Sequence, residues 1–585
     1  MVSASVRQVL YSVSMKHSDK YGNLTPAWRV ASGLLLWLLP LLLVLPNIWL
    51  DYTEVAYSPA EKAVNVLLPL GVYCIAMSLW RNTGATALLM FPLMFLCSFQ
   101  IVLLCLYGES IIAIDMFLNV VTTNSSEAAE LLENLWAAVL AVCVLYLPAV
   151  ALSVVMVTKK IFTPRTVRLP LGAAGCVLAL AGAVCVVCAS ASPCGYRTER
   201  RLFPVNVISN MFEAVERTRL SEAYSETSAA FSFRPCTARP ADGPEVYVMV
   251  IGETSRADNW QINGYSRPTN PRLSRRHGLV TCLRALSESN TTHKSVPLMM
   301  SHLTAATFGD SIYRSKGILA QFREAGFSTA WFSNQRRNHS LIDFLGEEAE
   351  EYSFITDDGG RHYDGELCAS LRRFLDANSG RRCFVVLHTY GSHFQYSERY
   401  PDEYNYFTPD SCMRAGVGNR RGLVNAYDNS IRYVDAVLDS IIAEVESRGV
   451  PAALVYAADH GEDIFDDDRG RFLHASPTPT YWQLHVPMLV WMSDAYRALR
   501  PAAFDALLAN SGRNVSTSRS VFHTLLSLAG VRSPVFDPSA ALTSPQYTEP
   551  ARVYLDDYNE AVPLTQSGLR EPDFIALKNA HISAR

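Results

Sequence analysis

The chain has 585 residues, of which 49% are hydrophobic and only 18% charged, against roughly 25% charged in an ordinary soluble domain. That average joins an apolar half, ending near residue 192, to a half of ordinary globular composition. A formal charge of −4 leaves no electrostatic footprint for a nucleic-acid partner.

Five stretches in the first half reach the roughly 20 apolar residues that a membrane-crossing helix needs: Val30–Leu50, Lys62–Trp80, Gly84–Tyr107, Leu135–Val157 and Leu169–Ala191. The second is the weakest, with a charge at its edge and internal Gly and Pro. Several apolar blocks in succession read as a membrane domain rather than a cleavable leader. Arg7, Lys16, Lys20 and Arg29 precede the first span, Arg81 follows the second, and Lys159, Lys160, Arg165 and Arg168 follow the fourth. The Gly108–Asn134 connection instead carries Glu109, Asp115, Glu127, Glu130 and Glu133 without one Lys or Arg. Basic connections stay in the cytoplasm. The N-terminus is therefore expected inside, with the Gly108–Asn134 connection and everything after Ala191 outside. Within that outer connection Asn119, Thr123 and Glu127 recur every four residues, the spacing of one helix face.

The expected domains are 1–192 with five spans, a connector over 193–243, and an exterior α/β domain over 244–585. In the connector, Ile208, Met211, Phe212 and Val215 follow helical spacing; core packing and a resting place on the membrane surface are both open. Cys194, Cys236, Cys282, Cys368, Cys383 and Cys412 fall outside, where an oxidising compartment favours up to three disulfides. From residue 245, short apolar runs at Val246–Ile251, Ser328–Phe332, Cys383–Leu387, Ala453–Ala457 and Val486–Trp491 alternate with helical segments. This is the rhythm of a parallel sheet covered by helices on both faces, whose functional groups collect beyond the carboxyl ends of the strands.

Those ends carry Glu253-Thr254, His388 with His393, and Asp459-His460-Gly461-Glu462 followed by His474. Singly, an Asp-His pair reads as a loop hydrogen bond and a lone His393 or His474 as a surface histidine. Together at one sheet edge they point to a cation, since burying several uncompensated carboxylates is costly. A mixed nitrogen and oxygen donor set suits Zn²⁺ ahead of Mn²⁺.

The run Val250 to Trp260 (VIGETSRADNW), with Asn263-Gly264-Tyr265, Thr269-Asn270-Pro271, Thr291 to Pro297 (TTHKSVP), His388 to His393 (HTYGSH), Asn425 to Asn429 (NAYDN), Asp459 to Glu462 (DHGE) and Leu473-His474, resembles the membrane-bound phosphoethanolamine transferases. These modify lipid A in Gram-negative bacteria and include the mobile colistin-resistance proteins. The resemblance implies an alkaline-phosphatase-like exterior domain and one Zn²⁺ on Glu253, Asp459, His460 and a threonine that is also the nucleophile. Spacing alone would choose Thr254; the family pattern places the nucleophile at Thr292. A second metal near His393 and His474 is implied as an option. Those two histidines are alternatively hydrogen-bond donors to the phosphate or a general acid. Asn119, Thr123 and Glu127 are implied to meet the ethanolamine head group. The implied donor is phosphatidylethanolamine, and the acceptor lipid A or another envelope glycan. The implied location is the inner membrane, with the catalytic domain in the periplasm.

Three departures stand out. Leu298 replaces a family cysteine, Arg336 and Arg337 stand where Cys-Lys-Gly is expected, and Asp463–Arg471 follows its own pattern. The competing readings are a membrane-anchored glycerophosphate transferase, a metal-dependent phosphodiester or sulfate hydrolase, and a dead lipid-binding scaffold. The C-x-P-x-R and S-x-P-x-R signatures of sulfatases are absent from the sequence.

Overall fold

The structure, a computed structural model, describes residues 26–53, 57–107, 112–122, 125–191, 196–234, 236–240, 243–410 and 415–584, without the side chains of 26, 106–107 and 119–134. Two compact units emerge: residues 1–112 with 131–211, and residues 113–130 with 212–585. Thr123 lies outside the described residues, as do the side chains of Asn119 and Glu127.

Among the described residues of the first unit four helices are long and apolar enough to cross a membrane: Ala27–Thr53, Pro59–Leu79, Leu135–Thr158 and Arg165–Ser190. The expected third span is instead a pair, Thr83–Leu89 and Phe91–Cys105, bent by 54°. Pro92 accounts for the break, because its ring lacks an N–H and collides with the carbonyl one turn back. The count is five only if this pair is one span. The weak second span is a well-started helix, its first turn closed by Ser58 and Glu61 in a capping box. Its Gly71 permits close packing, since a Cβ there would stand 2.4 Å from the Ala179 backbone nitrogen of the helix Arg165–Ser190. Small residues at such contacts let helix backbones approach without a hydrophobic driving force.

The amphipathic pattern of the connector forms the helix Val205–Glu222. Ile208, Met211, Phe212 and Val215 are all exposed, so the core-packing reading of this stripe fails.

The second unit is built on a seven-stranded sheet: β1 (Val246–Gly252), β2 (Leu279–Thr281), β3 (Ser328–Ser333), β4 (Glu351–Phe354), β5 (Cys383–His388), β6 (Ala452–Ala458) and β7 (Met488–Met492), in the order β2-β7-β6-β1-β5-β3-β4. Alternation sends Tyr247, Met249 and Ile251 of β1 into one core and Val246, Val248 and Val250 into the other. The helices Thr292–Met300 and Thr517–Ala529 cover the first face, Leu367–Ala377 and Arg420–Glu446 the second. Each aliphatic side chain so buried contributes about 1.5–3 kcal/mol.

The expectation of an all-parallel sheet is corrected. Five strands are parallel, but β7 runs antiparallel to both β6 and β2. The segment after β6 stays at the carboxyl edge, where it carries Asp459 to His474. The next strand therefore starts from that edge and runs back, and a parallel return would have needed a crossover to the far end. The disulfide expectation is corrected as well for the described exterior cysteines: Cys236, Cys282, Cys368 and Cys383 are free thiols. Burial pushes them up, Cys282 to about 12 and the others to about 11, so they behave as small apolar side chains. Cys194 and Cys412 lie outside the described residues.

Candidate functional site

Strand register brings the distant groups together. Ile251 pairs with His388 on one side and with Ala457 on the other, so β1, β5 and β6 end level. The ladder continues one step further through Asp459 N–H to the Gly252 carbonyl (2.9 Å) and Thr389 N–H to the Ile251 carbonyl (3.1 Å). Glu253, the 389–393 turn and Asp459 consequently stand at one edge.

Glu253, Asp459 and His460 present donor atoms within 4.8 Å of one another, and Glu253, His393 and His474 form a second such set. Glu253 is common to both. Thr292 opens the helix Thr292–Met300. Its Oγ1 lies 3.1 Å from His460 Nε2 and donates to Glu253 Oε1 at 3.4 Å. All four residues implied to form the zinc centre thus converge, with His393 and His474 beside them. Their ring centroids are 5.7 Å apart, and His474 sits 4.2 Å from His460.

The imidazoles are oriented by their far nitrogens. His460 Nδ1 meets the Gly461 carbonyl at 2.9 Å, and His393 Nδ1 meets the Phe394 carbonyl at 2.7 Å. A carbonyl only accepts, so in both rings Nδ1 carries the proton and Nε2 is left with its lone pair, the form in which imidazole ligates a metal. Burial holds His460 and His474 down at about 3, and hence neutral. Glu253 and Asp459 are pushed above the usual carboxylate range, first by burial; at Glu253 the charge of Asp459 adds to it. Among the described residues no lysine or arginine pairs with either one. Two buried carboxylates beside lone-pair imidazoles form a donor set that fits a divalent cation.

Thr254 is committed elsewhere. It is wholly buried with φ of +53°, its N–H donates to Asp459 Oδ1 at 3.1 Å, and its hydroxyl donates to Glu253 Oε1 at 2.7 Å. Such backbone strain costs about 1–3 kcal/mol and is held here by these bonds. Gly391, also left-handed at φ +53°, passes so close that a Cβ would lie 2.5 Å from the Glu253 carbonyl oxygen. Only glycine lets the 389–393 turn lie against Glu253.

Several supporting residues escaped the sequence reading. Gln335 donates through Nε2 to Glu253 Oε2 (3.3 Å) and to the Thr389 carbonyl (3.0 Å). Asp364 gathers the N–H groups of Tyr390 (2.7 Å) and Gly391 (2.9 Å) and the Asn334 amide (2.8 Å). Arg337 is spent on Glu347 at 2.9 Å and on the face of Phe354, and it does not replace the family lysine. In the divergent 463–471 segment, Asp466 is clamped by Arg256 through two 3.0 Å bonds and by Arg420 at 2.8 Å. Its neighbour Asp467 is held by Arg469, so two of the three consecutive aspartates at 466–468 are paired internally.

Glu462 is wholly buried, bonded by the Tyr396 hydroxyl and facing His474 Nδ1 at 3.4 Å. Burial raises its carboxyl to about 8. A raised folded value means that the protonated form is favoured by folding. Its contribution is complete below the unfolded value of about 4.3 and is lost as pH rises through about 8. In the metal-free protein Glu462→Gln is expected to flatten the fall in unfolding free energy between pH 5 and 8.5, by up to about 4 kcal/mol. Denaturant titrations at the two pH values measure it; an unchanged slope would contradict the assignment.

The sequence matches the Sulfatase family over residues 245–531. It is 30% identical over 315 residues to phosphoethanolamine transferase EptA of Salmonella typhimurium, covering 52% of this chain and 56% of that one. It is 28% identical over 283 residues to phosphatidylethanolamine transferase Mcr-1 of Escherichia coli, covering 46% and 52%. The chain therefore spans about half the length of the curated relatives it matches. Among solved structures, the integral membrane protein lipooligosaccharide phosphoethanolamine transferase A of Neisseria meningitidis shares the fold, with a TM-score of 0.67 at 24% identity over 87% of this chain and 97% of that one. The stretch that matches the Sulfatase family, residues 245–531, is the one that carries the sheet, its helical layers and the convergent edge.

Proposed function

We propose that the protein is a membrane-bound enzyme that transfers phosphoethanolamine from phosphatidylethanolamine to an envelope acceptor, lipid A, through a covalent phosphoethanolamine-threonine at Thr292. The observation that carries this reading is the position of Thr292 Oγ1, 3.1 Å from His460 Nε2 and 3.4 Å from Glu253 Oε1, at the first residue of a helix. The names of the relatives, phosphoethanolamine and phosphatidylethanolamine transferases, support the choice of donor.

Glu253, Asp459, His460 and Thr292 would hold the first Zn²⁺, and His393 and His474 with Glu253 would hold a second. Zinc supplies Lewis acidity there, lowering the hydroxyl pKa and offsetting phosphoryl charge. Thr292 Oγ1 attacks phosphorus, the ester bond to diacylglycerol breaks, and the threonine carries a phosphodiester to ethanolamine. The threonine proton is drawn toward Glu253 Oε1, to which the hydroxyl already donates, and ends on the departing diacylglycerol oxygen, which leaves as an alcohol. The amides opening the helix Thr292–Met300 face a phosphoryl oxygen with their partial positive charge. In the second half-reaction an acceptor hydroxyl or phosphate displaces Thr292. As the alternative to holding a second metal, His393, whose Nδ1 is bonded to the Phe394 carbonyl, would use its Nε2 lone pair to take the acceptor's proton. Asn119, Thr123 and Glu127 are assigned to the ethanolamine head group. Glu127 would pair with its ammonium.

In this reading the protein sits in the bacterial inner membrane, N-terminus inward and exterior domain in the periplasm, which the apolar helices of the first unit and the basic connections between them support. Mass spectrometry of envelope lipids from cells with and without the protein tests the reading. A phosphoethanolamine adduct on lipid A is expected. A glycerophosphate adduct, or release of a free head-group phosphate, would replace this function with one of the competing phosphodiester chemistries.

A further inference from the structure

Beside the nucleophile, and unused by the mechanism, three segments of the second unit close on Asp115. Lys294 Nζ lies 2.5 Å from Oδ2, His293 Nε2 3.0 Å from Oδ1 and Arg217 3.8 Å from Oδ1. The hairpin turn at 556–559 completes the knot. Asp557 accepts from the N–H groups of Ile114 (2.6 Å) and Asp115 (3.0 Å), and Lys294 Nζ also donates to the Asp556 carbonyl at 2.8 Å. The side chains of Asp115, Lys294 and Arg217 are 8%, 3% and 6% exposed. Burial alone would raise Asp115, yet Lys294, His293 and Arg217 hold it well below the usual carboxylate range.

Burying such ions costs several kcal/mol each, and apolar packing would hold the chain as well at less cost. What an ionic knot adds is register. The two residues it grips, His293 and Lys294, directly follow Thr292. Asp115 stands in the first turn of the helix Ile114–Thr122, and Asn119 follows one turn later in the same helix. The cavity flanking the knot, between Leu118, Arg217, His293 and Tyr313, holds only about 70 Å³. That is room for about two waters. The knot is therefore a joint rather than a substrate pocket.

We propose that Asp115 is a positioning residue for donor binding: through Lys294 and His293 it locks the segment beginning at Ile114 to the helix opened by Thr292, fixing head-group recognition at a set distance from the nucleophile. The proposal rests on the transfer reaction proposed above, and its test separates the two. The full-length protein in nanodiscs, wild type and Asp115→Asn, is assayed with phosphatidylethanolamine and with bis(p-nitrophenyl) phosphate, a diester without an ammonium. Amide exchange is followed over 112–118 and 292–300.

Asp115→Asn is expected to raise KM for phosphatidylethanolamine about tenfold, with kcat within about threefold. Cleavage of the small diester should hold within about twofold, and exchange should speed up over 112–118 but not over 292–300. Asp557→Asn, which weakens the same joint while leaving the ion pairs of Asp115 in place, should reproduce the exchange and KM changes should the first variant fold poorly. Unchanged exchange, an unchanged KM, or an equal loss of kcat on both diesters would overturn the proposal. If the wild type leaves phosphatidylethanolamine untouched, the transfer reading fails, and the exchange data still decide whether the joint exists.

Discussion

Thr292→Ala is expected to lower phosphoethanolamine transfer by about 10⁴-fold or more, the scale seen when a covalent nucleophile is removed. Its thermal midpoint should stay within a few degrees of the wild type, because Thr292 sits at the start of its helix and its hydroxyl serves no core contact: its side-chain partners are the site residues His460, Glu253 and Asp459. Thr292→Ser keeps a hydroxyl in place and should retain part of the activity. The informative companion is Thr254→Ala. Its hydroxyl orients Glu253 from 2.7 Å without being placed to attack. Loss of that bond should cost on the order of 1 kcal/mol, or about fivefold in rate. Steady-state transfer rates of the three variants measure this. If Thr254→Ala were as crippled as Thr292→Ala, the spacing argument for Thr254 would return.

The second large effect is expected at the metal ligands. Asp459→Ala should weaken zinc binding by at least about tenfold, a lower bound taken from losses at residues that merely orient ligands. Elemental analysis of the purified protein reads it directly. Zinc should also stabilise the wild type, by about 2.7 kcal/mol when free metal is 100-fold above its dissociation constant, and a tenfold weaker Asp459→Ala should keep no more than about 1.4 kcal/mol of this gain. The reason lies in the buried pair. Glu253 and Asp459 share one wholly buried edge, each pushed above the usual carboxylate range, and a divalent cation removes the repulsion that raises Glu253. Unchanged zinc stoichiometry in Asp459→Ala would reject it as a ligand.

Much of the fold could be read before the structure, and the exceptions have physical causes. The five apolar runs all became strands, within two residues at each end, because a strand buried on both faces needs an unbroken β-branched or apolar sequence. The edge strands Leu279–Thr281 and Glu351–Phe354 went unseen, since three or four residues carry no usable period. The direction of β7 was also hidden: an apolar run reads the same in both directions, and only the path of the preceding loop decides. The break at Met90 had its signal in Pro92, which composition averaged over a span conceals. The thiols misled because a compartment argument says nothing about distance; Cys282 and Cys383 are buried as apolar residues.

At the site, the convergence of Glu253, Asp459, His460, His393 and His474 was legible because strand ends of one sheet meet by construction. Choosing between Thr254 and Thr292 was beyond spacing; the family pattern supplied that choice, and the structure adds that the Thr254 hydroxyl is already bonded to Glu253. Gln335, Asp364 and Glu462 were illegible as supports. A buried hydrogen-bond partner looks in sequence like any polar residue, and Asp364, just before an amphipathic helix, reads as an ordinary cap. Asp115 was counted only as one negative charge in an acidic connection, with nothing in its neighbourhood to announce Lys294.

The most direct test of the central claim is peptide mass spectrometry of the protein quenched during turnover with phosphatidylethanolamine. The account predicts a phosphoethanolamine group on the peptide containing Thr292, absent from Thr292→Ala. An adduct on Thr254, or steady transfer with no adduct on Thr292 at any quench time, would contradict it.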